Sequence, residues 1–379
     1  MPLTEQIGAE AAAAIDGAPA SLEQAAAAAA RILAGSAQPL IAGLGADIEG
    51  ARAAIALAER QGGVVEHMHS AALMRDLDSL RGSGVMRTTP GEARVRADVI
   101  LLVGDRLLQT WPGLNERLLE PLAKPDGVDV KRRIVWLAPR ADAAIPGFDG
   151  DIEVIAAGSD VKLAANLAAL RARVKGRPIA GAPIPPPALG ALAAKLKAAR
   201  FGVAVWTAAS LGALEIEMLN GLARDLNETT RFSTLPLAAP DNGAGVLAAC
   251  GWMTGFPMRT GFGAGAPLHD PWRFDADRLV ASRETDCVVW ISTFGAPPPI
   301  LGSALNVIAL CERTARFAAE PSVRIVVGRP GLDHGAVMHS PDAGTLVAVA
   351  ASAPGAAPSV AEALERIAAC LGNANSQSC

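Results

Sequence analysis

The stretch PLIAGLGADIEGARAAIALAERQGGVV (residues 39–65) decides the fold class. Residues 39–43 form an apolar run that predicts a strand, and residues 63–65 predict another. Between them, residues 48–61 place apolar side chains at a spacing of three to four, which predicts a helix. A strand, a helix and a second strand in so short a stretch indicate the βαβ unit of a parallel sheet.

The same alternation continues along the chain. Continuous Val, Ile and Leu runs separated by helices are typical of parallel sheets covered on both faces. Further strands are predicted at 97–104, 132–139, 151–157, 203–206, 287–293, 304–311 and 324–328, and further helices at 21–35, 160–176, 191–202 and 359–372. Ser21 and Gln24 predict a capping box for the first of these helices, with Gly35 at its end. The segment GRPIAGAPIPPPALG (176–190) predicts an extended connector.

Composition excludes several classes of protein. The chain has 379 residues, a net charge of −4 and dispersed Lys and Arg, so it lacks the basic field of a nucleic-acid-binding protein. Its five cysteines are scattered and never in C-x-x-C spacing, which argues against a disulfide framework, a zinc knuckle or an iron–sulfur cluster and predicts buried apolar positions for most of them. We expect a cytoplasmic protein, since no apolar run reaches the ~18–20 residues of a membrane span and the N-terminus lacks a basic start.

The turn after the first predicted strand has two interpretations. Gly43, Leu44 and Gly45 lead from a strand into a helix, as in loops that hold a pyrophosphate. The third glycine of that pattern is replaced by Ile48, and Asp47 with Glu49 would repel a phosphate. The sequence favours a structural turn and leaves nucleotide binding as an alternative.

His67 and His69 form a second candidate site. They stand two residues apart after the strand at 63–65 and could bind one metal ion, given a further ligand. The three other histidines are His269, His334 and His339, and no H-E-x-x-H helix is present. There is also no G-x-S-x-G elbow and no G-x-x-x-x-G-K-[ST] loop, so the residues alone indicate a multidomain α/β protein without a recognisable catalytic motif.

Several stretches, in order, resemble the molybdopterin oxidoreductases and, more narrowly, the B subunit of formylmethanofuran dehydrogenase. The similarity covers about residues 37–372 and is carried by residues 39–65, GEARVRADVILLVGDR (91–106), RRIVWLAPR (132–140), DLNETTRFSTLPL (225–237), GWMTGFP (251–257) and RETDCVVWIST (283–293). It implies Rossmann-like sheets resembling domains II and III of that family, without the iron–sulfur domain. The implied division is an N-terminal helical segment 1–36, a discontinuous α/β domain 37–118 and 250–379, and an inserted α/β domain 119–249.

The departures from the family pattern bear on function. The family places its metal ligand, usually a cysteine, on the loop that here reads HMHSAALM (67–74), and this sequence has no cysteine before Cys250. The cluster-binding cysteines of the N-terminus are replaced by an Ala-rich helix, and Ala138 stands where the family has Asp. The resemblance therefore implies an oxidoreductase framework from which molybdopterin and the iron–sulfur cluster have been lost.

That description is similar to the family of B subunits of formyltransferase/hydrolase complexes, which serve one-carbon metabolism in methylotrophic bacteria. It implies a non-catalytic scaffold in a complex that converts formyl-tetrahydromethanopterin to formate through a formylated furan carrier. The implied partners are an amidohydrolase-like A subunit that holds zinc, a glutamate-synthase-like C subunit and a formyltransferase D subunit, with neither nucleic acid nor membrane. Two alternatives remain: an active molybdopterin-dependent subunit with a non-Cys ligand, or a carrier-binding subunit whose former cofactor cleft uses Arg106, Arg140 and Arg259.

Overall fold

The computed structural model describes residues 12–120, 132–138, 144–156, 160–179, 181–296 and 305–376. Its strands are β1 (Ala13–Ile15), β2 (Ala18–Ala20), β3 (Pro39–Gly45), β4 (Val64–Val65), β5 (Val99–Val103), β6 (Arg133–Ala138), β7 (Ile152–Ala156), β8 (Gly202–Trp206), β9 (Phe232–Pro236), β10 (Thr260–Gly261), β11 (Leu268–His269), β12 (Cys287–Ser292), β13 (Asn306–Cys311), β14 (Val323–Val326), β15 (Ala336–Ser340) and β16 (Thr345–Val349). Its helices are α1 (Leu22–Ala34), α2 (Ile48–Gln61), α3 (Ser70–Ser83), α4 (Pro90–Arg96), α5 (Leu107–Thr110), α6 (Asp160–Val174), α7 (Pro186–Lys197), α8 (Ala213–Leu226), α9 (Gly243–Thr254), α10 (Ala276–Ala281) and α11 (Val360–Ser376), with a π-helical turn at Asn115–Leu119.

The first of two compact units comprises the described parts of Met1–Ser70, Asp241–His339 and Leu346–Cys379. Its nine-stranded sheet has the order β11-β10-β4-β3-β12-β13-β14-β1-β2. The central strands from β4 to β14 run parallel, and the strands at both edges are antiparallel. The quoted stretch 39–65 forms β3, α2 and β4, so the predicted βαβ unit is confirmed.

The second unit comprises the described parts of Ala71–Pro240 together with Ser340–Thr345. Its five-stranded sheet is entirely parallel, in the order β7-β6-β5-β8-β9. Val99, Leu101 and Val103 of β5 enter one apolar cluster, whereas Ile100 and Leu102 enter another. Both faces of this sheet are therefore covered, as the continuous apolar runs predict.

The two compact units divide the chain differently from the predicted domains. Strand β5 pairs with β6 and β8, so the second unit begins at Ala71 rather than at 119, and it ends at Pro240 rather than at 249. The segment 1–36 is not a separate helical segment where it is described, because β1 pairs with β14 and joins the first sheet. A linear hydrophobic pattern predicts strands but does not show which strands share hydrogen bonds.

Two local predictions have opposite outcomes. The capping box of α1 is confirmed, since Ser21 accepts a hydrogen bond from the Gln24 N–H and the Gln24 side chain accepts one from the Ser21 N–H. The extended connector 176–190 is wrong in its last part, because α7 already begins at Pro186. Proline is favourable in the first turn of a helix, where its missing N–H has no partner to lose.

The cysteines take the positions that their scatter predicts. Cys250, Cys287 and Cys311 are buried, and burial raises the pKa of the Cys287 thiol to about 12. Cys370 is half-buried, and Cys379 lies outside the described residues. None of the helices in the described ranges combines the length and the apolar composition that a bilayer crossing requires.

Candidate functional site

The predicted site lies at the carboxyl edge of the first sheet. The chain runs from β3 outward to β4 on one side and returns to β12 on the other, so the order of the strands switches between β3 and β12. Ligands of open parallel sheets bind outside the carboxyl ends of the strands at such a point. The turn after β3 and the loop Glu66–His69 after β4 both lie at this edge.

The turn after β3 is built for close packing. Gly43 has a φ of 76°, and a Cβ on it would lie 2.5 Å from the Ile291 carbonyl oxygen of the neighbouring strand. Thr293 donates both its N–H and its hydroxyl to the Gly45 carbonyl oxygen, at 2.9 and 2.7 Å. The glycines thus serve contact between β3 and β12, which favours the structural interpretation of this turn.

A side chain of the protein occupies the helix N-terminus that a phosphate would need. Asp47 is 4% exposed and caps α2, accepting a hydrogen bond from the Gly50 N–H at 2.9 Å. Burial raises the pKa of this carboxyl above its ordinary value. Because an acidic side chain lies at the N-terminus of α2 and already takes one of its first-turn N–H groups, the arrangement does not fit a bound pyrophosphate.

His67 is enclosed and fully hydrogen-bonded. It is 1% exposed, its Nδ1 accepts a hydrogen bond from the His69 N–H at 3.0 Å, and its Nε2 lies 3.1 Å from the Asp241 carbonyl oxygen. The first bond leaves the proton on Nε2, which donates to Asp241. Burial lowers the pKa of His67 to about 4, so the ring is neutral near pH 7 and neither nitrogen has a lone pair left for a metal.

His69 has a different partner on the same residue. Its Nε2 lies 2.9 Å from Asp241 Oδ2, and its ring centroid is 5.4 Å from that of His67. Its side chain is 30% exposed, whereas that of Asp241 is 10% exposed. The structure therefore does bring His67 and His69 together, but through hydrogen bonds to one aspartate.

Asp241 and Asn242 are the residues that sequence reasoning missed. Both have left-handed backbone conformations, with φ of 55° and 58°. Asn242 donates from Nδ2 to the Ala46 carbonyl oxygen at 2.8 Å and accepts from the His339 N–H at 2.8 Å. A signal was present in Pro240-Asp241-Asn242-Gly243, because Asp and Asn before Gly are typical of turns with positive φ.

The other histidines do not complete a metal site. His269 Nδ1 lies 3.1 Å from the Arg259 carbonyl oxygen, His334 Nδ1 lies 3.0 Å from the Gly335 carbonyl oxygen, and His339 meets Asn242 only through its backbone. Within the described ranges, no group of three or more His, Cys, Asp or Glu side chains could hold a metal ion. The loop around His67 offers no thiolate, and the nearby Asp241 carboxylate is already bound to His69 Nε2, so these residues do not fit the ligand that a molybdenum or tungsten centre usually has.

Arg259 is held inside an ion-pair network. Its Nε donates to Glu66 Oε1 at 2.8 Å, its Nη2 lies 2.6 Å from Asp275 Oδ2, and its Nη1 donates to the Pro271 carbonyl oxygen at 2.7 Å. Burial raises the pKa of Glu66 to about 7, against the opposing effect of the Arg259 guanidinium. These bonds satisfy the guanidinium, so Arg259 contacts its own unit rather than an open cleft.

Of the two other predicted arginines, Arg106 belongs to the second unit. The order of its strands switches between β5 and β8, and Arg106 follows β5 there as an exposed side chain that makes no ion pair with a described residue. Near the end of β8, the Trp206 indole N–H donates to Asp76 at 3.3 Å, and burial raises the pKa of that carboxyl to about 6. Arg140 lies outside the described residues.

Comparison with known proteins gives consistent relatives. No family model matches the chain. It is 36% identical over 352 residues to the B subunit of the formyltransferase/hydrolase complex Fhc of Methylorubrum extorquens, covering 92% of this chain and 93% of that protein. It is 26% identical over 283 residues to the B subunit of the tungsten-containing formylmethanofuran dehydrogenase 2 of Methanocaldococcus jannaschii, covering 70% of this chain and 62% of that one.

A solved structure extends the likeness to three dimensions. The X-ray structure of the formyltransferase/hydrolase complex FhcABCD from Methylorubrum extorquens, in complex with methylofuran, contains a chain that matches with a TM-score of 0.85 and 34% sequence identity. The match covers 96% of this chain and 99% of that one. The α/β fold and the family resemblance predicted from the sequence are both confirmed.

Proposed function

Since the chain belongs to the family of B subunits of the formyltransferase/hydrolase complex, we propose that it is a non-catalytic scaffolding subunit of such a complex. In this role it assembles in the cytoplasm with an amidohydrolase-like A subunit, a glutamate-synthase-like C subunit and a formyltransferase D subunit. The partners carry formyl transfer and hydrolysis on the way from formyl-tetrahydromethanopterin to formate. Neither molybdopterin nor an iron–sulfur cluster binds this chain, and zinc belongs to the amidohydrolase-like partner.

The loop after β4 carries this proposal. An oxidoreductase of the related type needs a metal ligand there, but His67 uses both ring nitrogens for hydrogen bonds to backbone groups. Arg259, which could have lined a cofactor cleft, is bound to Glu66 and Asp275. The polar groups at this edge therefore stabilise the chain itself, which supports a structural role over the alternative of an active molybdopterin subunit.

The test uses the assembled complex. We expect His67→Ala and His69→Ala to leave formyl transfer and hydrolysis within a few-fold of wild type, while omission of the chain prevents assembly. Removing a group with a catalytic role costs on the order of 100-fold. A loss of that size in an intact His69→Ala complex would contradict the proposal, as would stoichiometric molybdenum or tungsten in elemental analysis of the wild-type chain.

One observation favours a second role, binding of the carrier. Arg106 is exposed at the switch point of the second sheet, where a ligand with a carboxylate tail would meet it. Isothermal titration of the chain with methylofuran would then show binding that Arg106→Ala weakens by about tenfold. The absence of binding to the wild-type chain would contradict this role and leave the scaffolding role untouched.

A further inference from the structure

A groove lies between helices α6 and α8 of the second unit, away from the sites considered so far. It has a volume of about 310 Å³, and its lining includes Arg171, Ala172, Lys175, Arg177, Met218 and Asp225. Three of these side chains are cations and one is an anion. Ligand pockets measure about 300–1,000 Å³ and fix their ligands with a few convergent polar groups, so we examined how these cations are held.

The groove lies at the opposite edge of the second sheet from Arg106. Helix α8 leads from the end of β8 to the start of the parallel strand β9, so its last turn, which carries Asp225, returns to the amino edge of the sheet. Arg106 follows β5 at the carboxyl edge. The groove is therefore separate from the switch point at which the topology would place a ligand.

The guanidinium of Arg171 is oriented by contacts with α8. Its Nε donates to Asp225 Oδ2 at 2.8 Å, and its Nη1 lies 3.5 Å from the Met218 sulfur. It also lies against Gly221, where a Cβ would come within 2.4 Å of the Arg171 Cζ. Glycine destabilises the interior of a helix relative to alanine, but here it leaves the space that the guanidinium occupies. These contacts fix a guanidinium whose two Nη groups meet no oxygen acceptor of a described residue.

Lys175 lies one helical turn beyond Arg171. Its N–H donates to the Arg171 carbonyl oxygen at 3.0 Å, which continues the winding of α6 and keeps both side chains on one face. Its ammonium is paired with Glu228, whose side chain is 59% exposed. Because an ammonium has three N–H donors and this pair is solvated, Lys175 can still donate to an anion in the groove.

The turn that ends α6 places Arg177 at the groove. Gly176 has a φ of 68°, and the N–H of Arg177 donates to the Ala172 carbonyl oxygen at 2.8 Å. This bond is typical of a helix end with a left-handed glycine, and it folds the chain back over the last turn of the helix. The Arg177 side chain is exposed and makes no ion pair with a described residue. A third cation therefore lines the groove without an acid of its own.

The charges around the groove do not balance. Asp225 pairs with Arg171 and Glu228 pairs with Lys175, which leaves the charge of Arg177 uncompensated by these two acids. This positive excess stands in a chain whose net charge is −4. An oxyanion is the ligand that would complete the balance.

The helix dipole alone does not account for this arrangement. Cations are favourable near the carboxyl end of any helix. Arg173 meets that preference in the last turn of α6, but its guanidinium lies beside Gly190 of α7, where a Cβ would be 3.6 Å from Nη2. The convergence of the other three cations on one groove depends in addition on the contacts with α8 and on the turn that ends α6.

We propose that this groove binds one oxyanion group, a carboxylate or a phosphate, of a small molecule. The Nη groups of Arg171 offer the planar pair of donors that such a group accepts, and Lys175 and Arg177 add their charges. Met218 and Ala172 line the groove with apolar atoms that the body of the ligand would contact. The site is independent of the scaffolding function proposed above.

Isothermal titration of the purified full chain with sodium phosphate, and separately with sodium succinate, tests the proposal at constant ionic strength in sodium chloride. We expect saturable binding of one anion per chain with at least one of the two. Arg177→Gln should weaken that binding by about tenfold. Arg171→Lys should weaken it by about the same factor, because it keeps the charge but loses the planar pair of donors. The matched control is Arg173→Gln, which removes a charge from the same helix end outside the groove and should change the affinity by less than about twofold.

Each outcome decides for or against the groove. Binding of phosphate alone, or of succinate alone, supports the proposal and identifies the class of oxyanion. Failure of both anions to bind the wild-type chain overturns it, as does unchanged affinity in both Arg177→Gln and Arg171→Lys. A loss in Arg173→Gln equal to that in Arg177→Gln also overturns it, because the anion would then respond only to the overall charge of the helix end. Equal urea unfolding of Arg177→Gln and wild type shows that a loss of binding does not come from unfolding.

Discussion

The carboxyl edges of the two parallel sheets differ in how their polar groups are used. At the switch point of the first sheet, Thr293 bonds twice to the Gly45 carbonyl oxygen, and Asn242 bonds to that of Ala46. At the switch point of the second sheet, the Trp136 indole N–H donates to the Gly104 carbonyl oxygen at 2.7 Å, but Arg106 extends into solvent.

This difference shows that, in sheets of the same topology, the crevice at the switch point can be filled by the protein's own side chains or left open to solvent. In parallel sheets the switch point creates a crevice whatever the function, and the side chains there decide whether a ligand can enter. The first edge uses Asp241, His67 and His69 to satisfy one another. The polar groups of the first edge therefore stabilise the first unit. At the second edge, in contrast, not every polar side chain is bound to another described residue.

The largest expected effect concerns Arg259 at the first edge. We expect Arg259→Ala to lower the free energy of unfolding by about 3–5 kcal/mol, because it leaves Glu66 buried without its cation. Arg52→Ala is the matched control, since its pair with Glu49 has side chains 55% and 60% exposed, and it should cost less than about 1 kcal/mol. Urea unfolding measures both; equal losses would show that the first edge is not a buried network.

The next effect is the pH dependence of the first unit. The pKa of His67 is lowered to about 4 in the folded chain, so the unfolded chain binds its proton first as the pH falls. The contribution of His67 is complete above about pH 6.5, and it is lost between about pH 6.5 and 4, by about 3 kcal/mol. Glu66 has the opposite sign, because its pKa is raised to about 7 and its protonated form stabilises the folded chain as the pH falls.

Variants separate the two groups. Urea unfolding of wild type and His67→Asn from pH 7 to pH 4 should give a difference in unfolding free energy that shrinks as the pH falls, because only the wild type loses the His67 contribution. The same comparison with Glu66→Gln should change in the opposite direction. A difference that stays constant with pH in His67→Asn would show that this ring titrates normally and that the first edge is open to water.

The smallest effect on stability is expected at the second edge. Arg106→Ala should change the free energy of unfolding by no more than about 0.5 kcal/mol, because the side chain is exposed and makes no ion pair with a described residue. Urea unfolding of Arg106→Ala and Arg259→Ala under the same conditions compares the two losses in unfolding free energy. A loss as large as that of Arg259→Ala would mean that both edges are closed in the same way.

The sequence predicted much of the fold because the relevant signals are local. The apolar runs at 99–103 and 287–292 indicated buried strands by their length and β-branched residues, and Ser21 with Gln24 marked the start of α1. Domain boundaries depend instead on which strands pair across long intervals, and no local pattern shows that β5 joins β8. Helix α7 was predicted to begin at residue 191 rather than at Pro186, because proline-rich composition outweighed the favourable place of proline in a first turn.

The site was predicted less well than the fold. His67 and His69 were considered as a candidate metal pair, whereas their hydrogen-bond partner Asp241, which lies 172 residues beyond His69 in the chain, was not considered. Arg259 pairs with Glu66 and Asp275 instead of lining a cleft. No spacing in the sequence predicts these two ion pairs. The sequence shows which chemical groups are present, whereas the tertiary fold decides which hydrogen-bond and ion-pair partners those groups have.

The buried cysteines give the molecule a built-in reporter. Burial raises the pKa of the Cys250 and Cys311 thiols to about 11 and that of Cys287 to about 12, so the reactive thiolate is scarce until these residues reach water. Residues 71–240 and 340–345 contain no cysteine. The rate at which an alkylating reagent labels these three thiols therefore times the opening of the first unit alone, in a chain that needs no engineered probe.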